Sequence, residues 1–255
     1  MTIDRGDDRV IDRGIDRIAP TMRPSGAAGG WQKWRDLLFL HWPVPVAAVR
    51  PLVPAELELD LFDDVLYLGV VPFAMAEVRP SWLPKVASFD FLETNVRTYV
   101  VHRGRPGVFF LSLEAASALA CTAARATFGL PYFWASMTMT KGDDGVVTYE
   151  TRRRLGPAAR SAFRYRPGPA LGPSEPGSLQ HFLLERYLLF VERRGQILCG
   201  QVHHTPYPTH SADLLEVHDE LAAAARLPAV TGPPAHVHWS PGVDVEVFDL
   251  SPVVV

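Results

Sequence analysis

The stretch Ser88–Ala135 reads SFDFLETNVRTYVVHRGRPGVFFLSLEAASALACTAARATFGLPYFWA, and it decides the fold. Its first part, Phe91–Arg103, is rich in Val, Thr, Tyr and Phe, which is typical of a β-strand. The sequence then carries Gly104, Pro106 and Gly107, the residues of a hairpin turn. This order predicts two adjacent strands joined by a tight turn.

After the turn, the apolar run Val108–Leu113 predicts a second strand that is covered on both faces. An Ala-rich helix is predicted over Glu114–Phe128, because Gly129 and a proline two residues later form a common helix end. A third strand is predicted to begin at Tyr132.

The first of these strands has one face of large polar side chains. Because alternate residues of a strand point to opposite sides, Leu92, Val96 and Val100 share the apolar face. The other face carries Glu93, Asn95, Arg97 and Tyr99. A row of this kind is a solvated sheet face, a structural network of polar groups, or the lining of an enclosed cavity, and a buried charge in it needs a partner.

The order ETNVRTYV, then GRPGVFFLSLEAA, then AARATFGLPYFWA resembles the YqjF-like family of uncharacterised proteins. That family is similar in fold to the acetoacetate decarboxylase superfamily. The resemblance extends from about Trp34 to the C-terminus, and it implies a closed, conical antiparallel barrel with a central cavity. The many short strands and turn signals agree with a barrel or sandwich.

The resemblance also bears on chemistry. Carried over residue by residue, Glu93 matches the strand glutamate of the decarboxylases and Arg125 matches their helix arginine. Their two active-site lysines fall on Tyr132 and Phe133 of this sequence. The first of those lysines forms the Schiff base in the decarboxylases, and the second lowers its pKa. The resemblance therefore implies a related fold without the Schiff-base activity.

These considerations give a set of candidate site residues. Glu93 and Tyr132 are the predicted catalytic residues, because a carboxyl group exchanges protons and a phenol donates a hydrogen bond to a carbonyl. Tyr132 as an aromatic core residue is the alternative. The predicted substrate-binding residues are Arg97, Asn95, Tyr99, Trp134 and Arg125.

The predicted fold class is mostly β (α+β), a single-domain antiparallel acetoacetate-decarboxylase-like β-barrel with a few peripheral helices. We assign this domain to residues 31–255. Residues 1–30 repeat Asp-Arg-Gly and contain no aromatic residue, so we predict a disordered, dispensable tail.

Composition and absent motifs exclude several classes of function. The net charge is −3, which does not favour a nucleic-acid partner, and no apolar run is long enough to span a membrane. There is no nucleotide-binding glycine motif and no hydrolase elbow, so no cofactor is predicted. His236 and His238 share one strand face, but no carboxylate or cysteine lies at ligand spacing, and no metal is predicted. Without a signal peptide, the sequence predicts a cytoplasmic protein.

The sequence thus predicts a small-molecule-binding protein or enzyme with a polar barrel cavity, acting on a carbonyl- or carboxylate-bearing metabolite without Schiff-base chemistry. The alternative is a non-catalytic ligand sensor, or a structural barrel whose interior is filled by its own side chains. A homo-oligomer is left open.

Overall fold

A computed structural model describes residues 14–230 and 232–253. The strands are β1 (Gly30–Val44), β2 (Glu58–Leu59), β3 (Leu66–Pro80), β4 (Phe89–His102), β5 (Arg105–Ala115), β6 (Tyr132–Lys141), β7 (Val147–Arg153), β8 (Arg160–Ala170), β9 (Leu188–Arg193), β10 (Gln196–His203), β11 (His210–Asp219), β12 (His236–Val247) and β13 (Ser251–Pro252). The α-helices are α1 (Val46–Val49), α2 (Ala118–Phe128), α3 (Leu179–Leu184) and α4 (Leu221–Ala224). Short 3-10 turns cover Ala19–Thr21, Arg50–Leu52 and Lys85–Ala87.

All of these strands belong to one sheet, in the order β13-β10-β9-β5-β6-β7-β8-β11-β12-β1-β3-β4-β2. An additional pairing between β4 and β5 closes this sheet on itself as a ring. The pairings are antiparallel except for β5 with β6 and β5 with β9, which are parallel. The prediction of a mostly β, ring-like sheet with few helices is confirmed, with these two parallel pairings as the departure from a wholly antiparallel barrel.

Hydrogen bonds between β10 and β12 close a second, smaller ring, formed by β1, β3, β4, β5, β9, β10 and β12. Strands β1, β3, β4, β5 and β12 therefore belong to both rings and have a buried side chain on each face. On β4, Val96 and Val100 pack in one core cluster with Tyr149 and Phe163. Tyr99 belongs to the other cluster, so the two faces of this strand serve two separate interiors.

The stretch that decides the fold has the predicted order of elements. The turn between β4 and β5 holds Arg103 and Gly104 at positive φ, as both central residues of a two-residue type I′ hairpin turn require. The predicted helix, however, begins four residues later than expected, at Ala118, where the Ser117 side chain accepts a hydrogen bond from the Ala120 amide. Glu114 instead continues β5, where it forms a buried ion pair with Arg153.

The segment 14–30, which the sequence assigns to a disordered tail, packs on the sheet. Arg17 Nη1 lies 2.8 Å from Asp60 Oδ2, and Asp60 is buried. Farther along, Arg23 Nε lies 2.6 Å from Glu246 Oε2 at the surface. The tail prediction therefore does not hold from Gly14 onward, because these charges find partners on the barrel. Its earlier part, residues 1–13, lies outside the described residues.

None of the helices within residues 14–230 and 232–253 has the length and apolar character that crossing a membrane demands.

Candidate functional site

A cavity of about 650 Å³ lies on the Glu93 face of β4. Its walls come from strands of the smaller ring, from Tyr132 at the start of β6 and from α2, which covers one side. Most lining side chains are apolar or aromatic, and they include Trp34, Leu37, Val71, Phe73, Met75, Phe91, Phe110, Leu113, Phe128, Leu130, Leu189 and Val202. The lining is therefore less polar than the sequence predicts. Apolar walls with a few polar groups are typical of small-molecule sites.

The strand β4 runs from the mouth of this cavity to its deep end. Alternation places Phe89, Phe91, Glu93, Asn95 and Arg97 on the cavity face, and all five line it. Phe89 is 37% exposed, whereas Glu93 is 4% and Arg97 8% exposed. The strand thus presents aromatic rings near the solvent and polar groups in the interior.

Glu93 and Tyr132 meet in the wall of the cavity. The hydroxyl of Tyr132 donates a hydrogen bond of 2.8 Å to Glu93 Oε2. Burial raises the pKa of Glu93 to about 8, although the bond from Tyr132 acts in the opposite direction. Burial, with the nearby Glu93 carboxyl, also raises the pKa of Tyr132. Near neutral pH the pair therefore holds a carboxyl group that can exist in either protonation state, which general acid–base chemistry requires.

The backbone of Glu93 is held from the opposite face of β4. Tyr149, which is fully buried, donates its hydroxyl hydrogen to the Glu93 carbonyl oxygen at 2.8 Å. On the same opposite face, the Thr94 and Thr151 hydroxyls lie 3.2 Å apart. These contacts fix the strand at the point where its carboxyl side chain enters the cavity.

Arg97 is a buried cation without a carboxylate partner among residues 14–230 and 232–253. Its Nη2 donates a hydrogen bond of 3.2 Å to the Leu183 carbonyl oxygen, and its Nε has no hydrogen-bond partner in the part of the chain that the structure describes. The guanidinium carbon lies 5.7 Å from the centre of the Phe39 ring and 5.9 Å from that of Tyr99. Aromatic rings stabilise a cation partly, so the site keeps the capacity to bind an anion.

Asn95 lies between Glu93 and Arg97 on the same face. It is buried, and its side-chain oxygen has no hydrogen-bond partner in the described part of the chain. A buried amide of this kind can bond a polar ligand atom, because an unpaired buried acceptor is otherwise costly.

The structure adds a second arginine that sequence reasoning missed. Arg186 lines the cavity, and its Nη1 donates a hydrogen bond of 2.7 Å to Asp60 Oδ2. Its guanidinium carbon also lies 4.2 Å from the centre of the Phe182 ring. Asp60 is thus shared by two arginines, Arg17 and Arg186. No local pattern pointed to Arg186, because its neighbours at the site come from distant parts of the chain.

Three predicted substrate-binding residues do not reach the cavity wall. Tyr99 lies beyond its deep end, where its hydroxyl donates to the Leu183 carbonyl oxygen at 2.8 Å and lies 2.7 Å from His41 Nε2. Trp134 is 44% exposed, since β6 passes the rim of the cavity after Tyr132. Arg125 is exposed on α2. Position on a shared face was not sufficient, because the cavity ends before the strands do.

The three lysines of the chain also lie outside the cavity lining. Lys33 Nζ is 2.6 Å from Glu77 Oε1, and Lys85 Nζ is 3.0 Å from Glu77 Oε2. Lys141 ends β6 and is exposed. At the position that the decarboxylase resemblance assigns to a lysine, the cavity presents the Tyr132 phenol.

Solved structures share this fold. Acetoacetate decarboxylase from Legionella pneumophila superposes with a TM-score of 0.60 at 15% identity, covering 100% of this chain and 98% of the other. An acetoacetate decarboxylase-like enzyme from Sphingomonas wittichii gives 0.59 at 12% identity, over 90% of this chain and 94% of the other. The enduracididine biosynthesis enzyme MppR, complexed with pyruvate, gives 0.57 at 12% identity, over 90% and 92%. At these identities the likeness is one of fold.

Sequence relatives are more specific. The uncharacterized protein YqjF of Bacillus subtilis is 38% identical over 183 residues, which span 71% of this chain and 75% of YqjF. The family model DUF2071, described as an uncharacterized conserved protein, matches residues 31–244. These matches confirm the resemblance on which the fold prediction rested, and the chain belongs to the DUF2071 family.

Proposed function

We propose that this protein binds a small organic anion with a carbonyl or carboxylate group in its cavity and exchanges a proton with it, without forming a Schiff base. Arg97 binds the anionic group. Glu93 accepts or donates the proton, and Tyr132 donates a hydrogen bond that fixes the carboxyl group of Glu93. Asn95, which lies between them, supplies a further polar contact.

The observation that carries the proposal is that Arg97 is buried without a carboxylate partner among the described residues. An arginine that is 8% exposed needs a compensating partner, because a buried charge is costly when it is unpaired. The described residues supply a carbonyl oxygen and two rings but no carboxylate. A bound anion would supply the missing charge, and arginine suits carboxylates because its planar fork donates two parallel hydrogen bonds.

The neighbouring charges favour an anion as well. Arg186 also lines the cavity, and its carboxylate partner Asp60 is shared with Arg17. Glu93 carries little negative charge at neutral pH, because burial raises its pKa to about 8. The deep end of the cavity therefore has an excess of positive charge.

A structural neighbour offers support for the ligand class. The structure of MppR was determined with pyruvate, a 2-oxo carboxylate. Its identity to this chain is 12%, so its ligand serves here as a starting probe rather than as an assignment. The cavity of about 650 Å³ favours ligand binding over the alternative of a barrel filled by its own side chains.

The experiment measures binding of pyruvate and acetoacetate by ligand-observed NMR to the full chain, to Arg97→Met and to Arg152→Met. Arg152 is an exposed arginine on β7 and serves as the matched control. We expect binding to the full chain and to Arg152→Met, and at least tenfold weaker binding to Arg97→Met. Equal binding to all three proteins would contradict the role of Arg97.

Proton exchange is tested separately, by following loss of the acetoacetate methylene signal in D₂O with and without protein. We expect exchange by the full chain to exceed that by Glu93→Gln at least tenfold. If the ligand binds but exchange is unchanged by Glu93→Gln, the protein is a ligand sensor rather than an enzyme of this type.

A further inference from the structure

We propose that the ligand carries an apolar tail as well as its anionic group, so that it belongs to the medium-chain or aromatic acids rather than the three- or four-carbon acids. This inference rests on the proposed function of Arg97 as the anion-binding residue. It concerns the remainder of the cavity, which that function leaves unused.

Along β4, the polar groups of the cavity wall lie deep and the aromatic rings lie near the mouth. Arg97 lies at the deep end of the cavity face of β4, and Phe91 and Phe89 lie toward the mouth. At about 3.3 Å per residue, Arg97 and Phe91 are separated by roughly 20 Å of strand. A three-carbon acid held at Arg97 would leave the aromatic half of this wall in contact with water.

The walls on either side of β4 are apolar as well. The lining side chains on the neighbouring strands β3 and β5, together with those at and after the end of α2, include Met75, Phe110, Leu113, Phe128 and Leu130. Apolar walls contribute favourably to the free energy of binding only when apolar surface of a ligand replaces the water in contact with them. A short, fully polar acid offers no such surface, whereas an alkyl chain or aryl ring does.

Helix α2 closes one side of the cavity in part with small side chains. Ala120 and Ala124 both line it, and they lie on one helix face because they are four residues apart. Two alanines in succession leave a groove in the wall where larger residues would fill the space. The volume of about 650 Å³ is that of a site for a drug-sized molecule.

The test uses a series of straight-chain carboxylates, namely acetate, butanoate, hexanoate, octanoate and decanoate, with octanol as the uncharged match for octanoate. Binding to the full chain is measured by titration calorimetry below the micelle concentration of each acid. We expect affinity to rise about three- to fourfold per added methylene until the cavity is filled. Octanoate should bind at least tenfold more tightly than octanol.

Ala124→Leu narrows the cavity beside α2 and keeps a residue of high helix propensity at this position. We expect this variant to weaken decanoate binding at least tenfold and to leave butanoate binding unchanged. Ala126→Leu, at an exposed position of the same helix, is the control and should change neither. If Ala124→Leu does not fold, Ala120→Leu makes the same test one turn earlier. If the folded variant, Ala124→Leu or Ala120→Leu, binds decanoate as tightly as the parent chain does, the placement of the apolar tail along α2 is wrong.

The series separates this inference from the proposed function. Affinity that is independent of chain length, but lost in Arg97→Met, would overturn the apolar tail and leave the anion site intact. Affinity that rises with chain length, but is equal for octanoate and octanol and unchanged in Arg97→Met, would overturn the anion site and, with it, the inference that rests on it.

Discussion

The phenol of Tyr132 on β6 reaches across β5 to donate a hydrogen bond of 2.8 Å to the Glu93 carboxyl group on β4. This bond joins two strands that are not neighbours in the sheet. Among the described residues that line the cavity, Glu93 and Tyr132 are the only two titratable side chains that are hydrogen-bonded to each other. Because burial raises the pKa of Glu93 to about 8, its protonation changes between mildly acid and alkaline solution. The relationship has consequences that can be measured without knowing the ligand.

The first prediction concerns the pH dependence of stability. The ordinary pKa of glutamate is 4.5, and the folded value is about 8, so between these values the folded state binds more protons than the unfolded state. Stability therefore falls as pH rises through this window and levels off above about pH 8. A shift of one pKa unit corresponds to roughly 1.4 kcal/mol, so the fall amounts to a few kcal/mol.

Glu93→Gln removes this titration. We expect the free energy of unfolding of the variant, measured in urea from pH 5 to pH 9, to decline less than that of the parent chain. Glu58→Gln, at an exposed position of β2, should follow the parent curve. Parallel curves for the parent and Glu93→Gln would show that Glu93 ionises in the folded protein as it does in the unfolded chain.

The second prediction concerns Tyr132→Phe. The hydrogen bond from Tyr132 lowers the pKa of Glu93, in opposition to burial. Its removal should therefore raise the pKa of Glu93 further and extend the decline in stability to higher pH. The carboxyl stretch of Glu93 in infrared difference spectra reports its midpoint directly. The double variant Tyr132→Phe with Glu93→Gln is the control, and in it this signal should vanish. A Glu93 midpoint in Tyr132→Phe at or below that of the parent chain would contradict the role of the hydrogen bond.

Much of the fold followed from local sequence patterns. The alternation from Phe91 onward placed Glu93, Asn95 and Arg97 on one face of β4, and all three line the cavity. The family resemblance identified Tyr132 as a cavity residue although the resemblance concerned a lysine. The prediction for β4 succeeded because strand alternation is a property of neighbouring residues.

Other features depend on contacts between distant segments. Sequence alternation extended the polar face to Tyr99, but α3 fills the space there and its Leu183 carbonyl oxygen accepts the Tyr99 hydroxyl hydrogen. Arg186 was missed because its role depends on Asp60, which lies 126 residues earlier in the chain. The apolar character of the cavity was missed for the same reason, since its walls combine side chains from eight strands and a helix that no single sequence pattern relates.

The third prediction concerns the segment 14–30. The sequence alone predicts that deleting residues 1–28 leaves the melting temperature unchanged, whereas the contact between Arg17 and buried Asp60 predicts a lower one. We expect Arg17→Met to lower the melting temperature by several degrees, because it removes one of two arginines around a buried carboxylate. Arg23→Met, which removes a surface pair with Glu246, should leave it nearly unchanged. Equal melting temperatures for the two variants would show that the Arg17 contact does not stabilise the barrel.

The fourth prediction concerns Schiff-base chemistry, which needs a neutral amine beside the bound carbonyl group. The three lysines of this chain lie outside the cavity lining, where Lys33 and Lys85 contact Glu77 and Lys141 ends β6 at the surface. At the corresponding position the cavity holds Tyr132, and a phenol cannot form an imine. We therefore expect that incubation with acetoacetate and borohydride yields no stoichiometric mass adduct on any lysine, while an acetoacetate decarboxylase treated in parallel is fully modified.

Peptide mapping distinguishes a specific adduct from slow labelling of exposed Lys85, because only a specific adduct is lost when octanoate competes for the cavity. A competed, stoichiometric adduct on Lys33, Lys85 or Lys141 would mean that a lysine enters the cavity during the reaction, and it would replace proton exchange at Glu93 with covalent catalysis as the chemistry of this site.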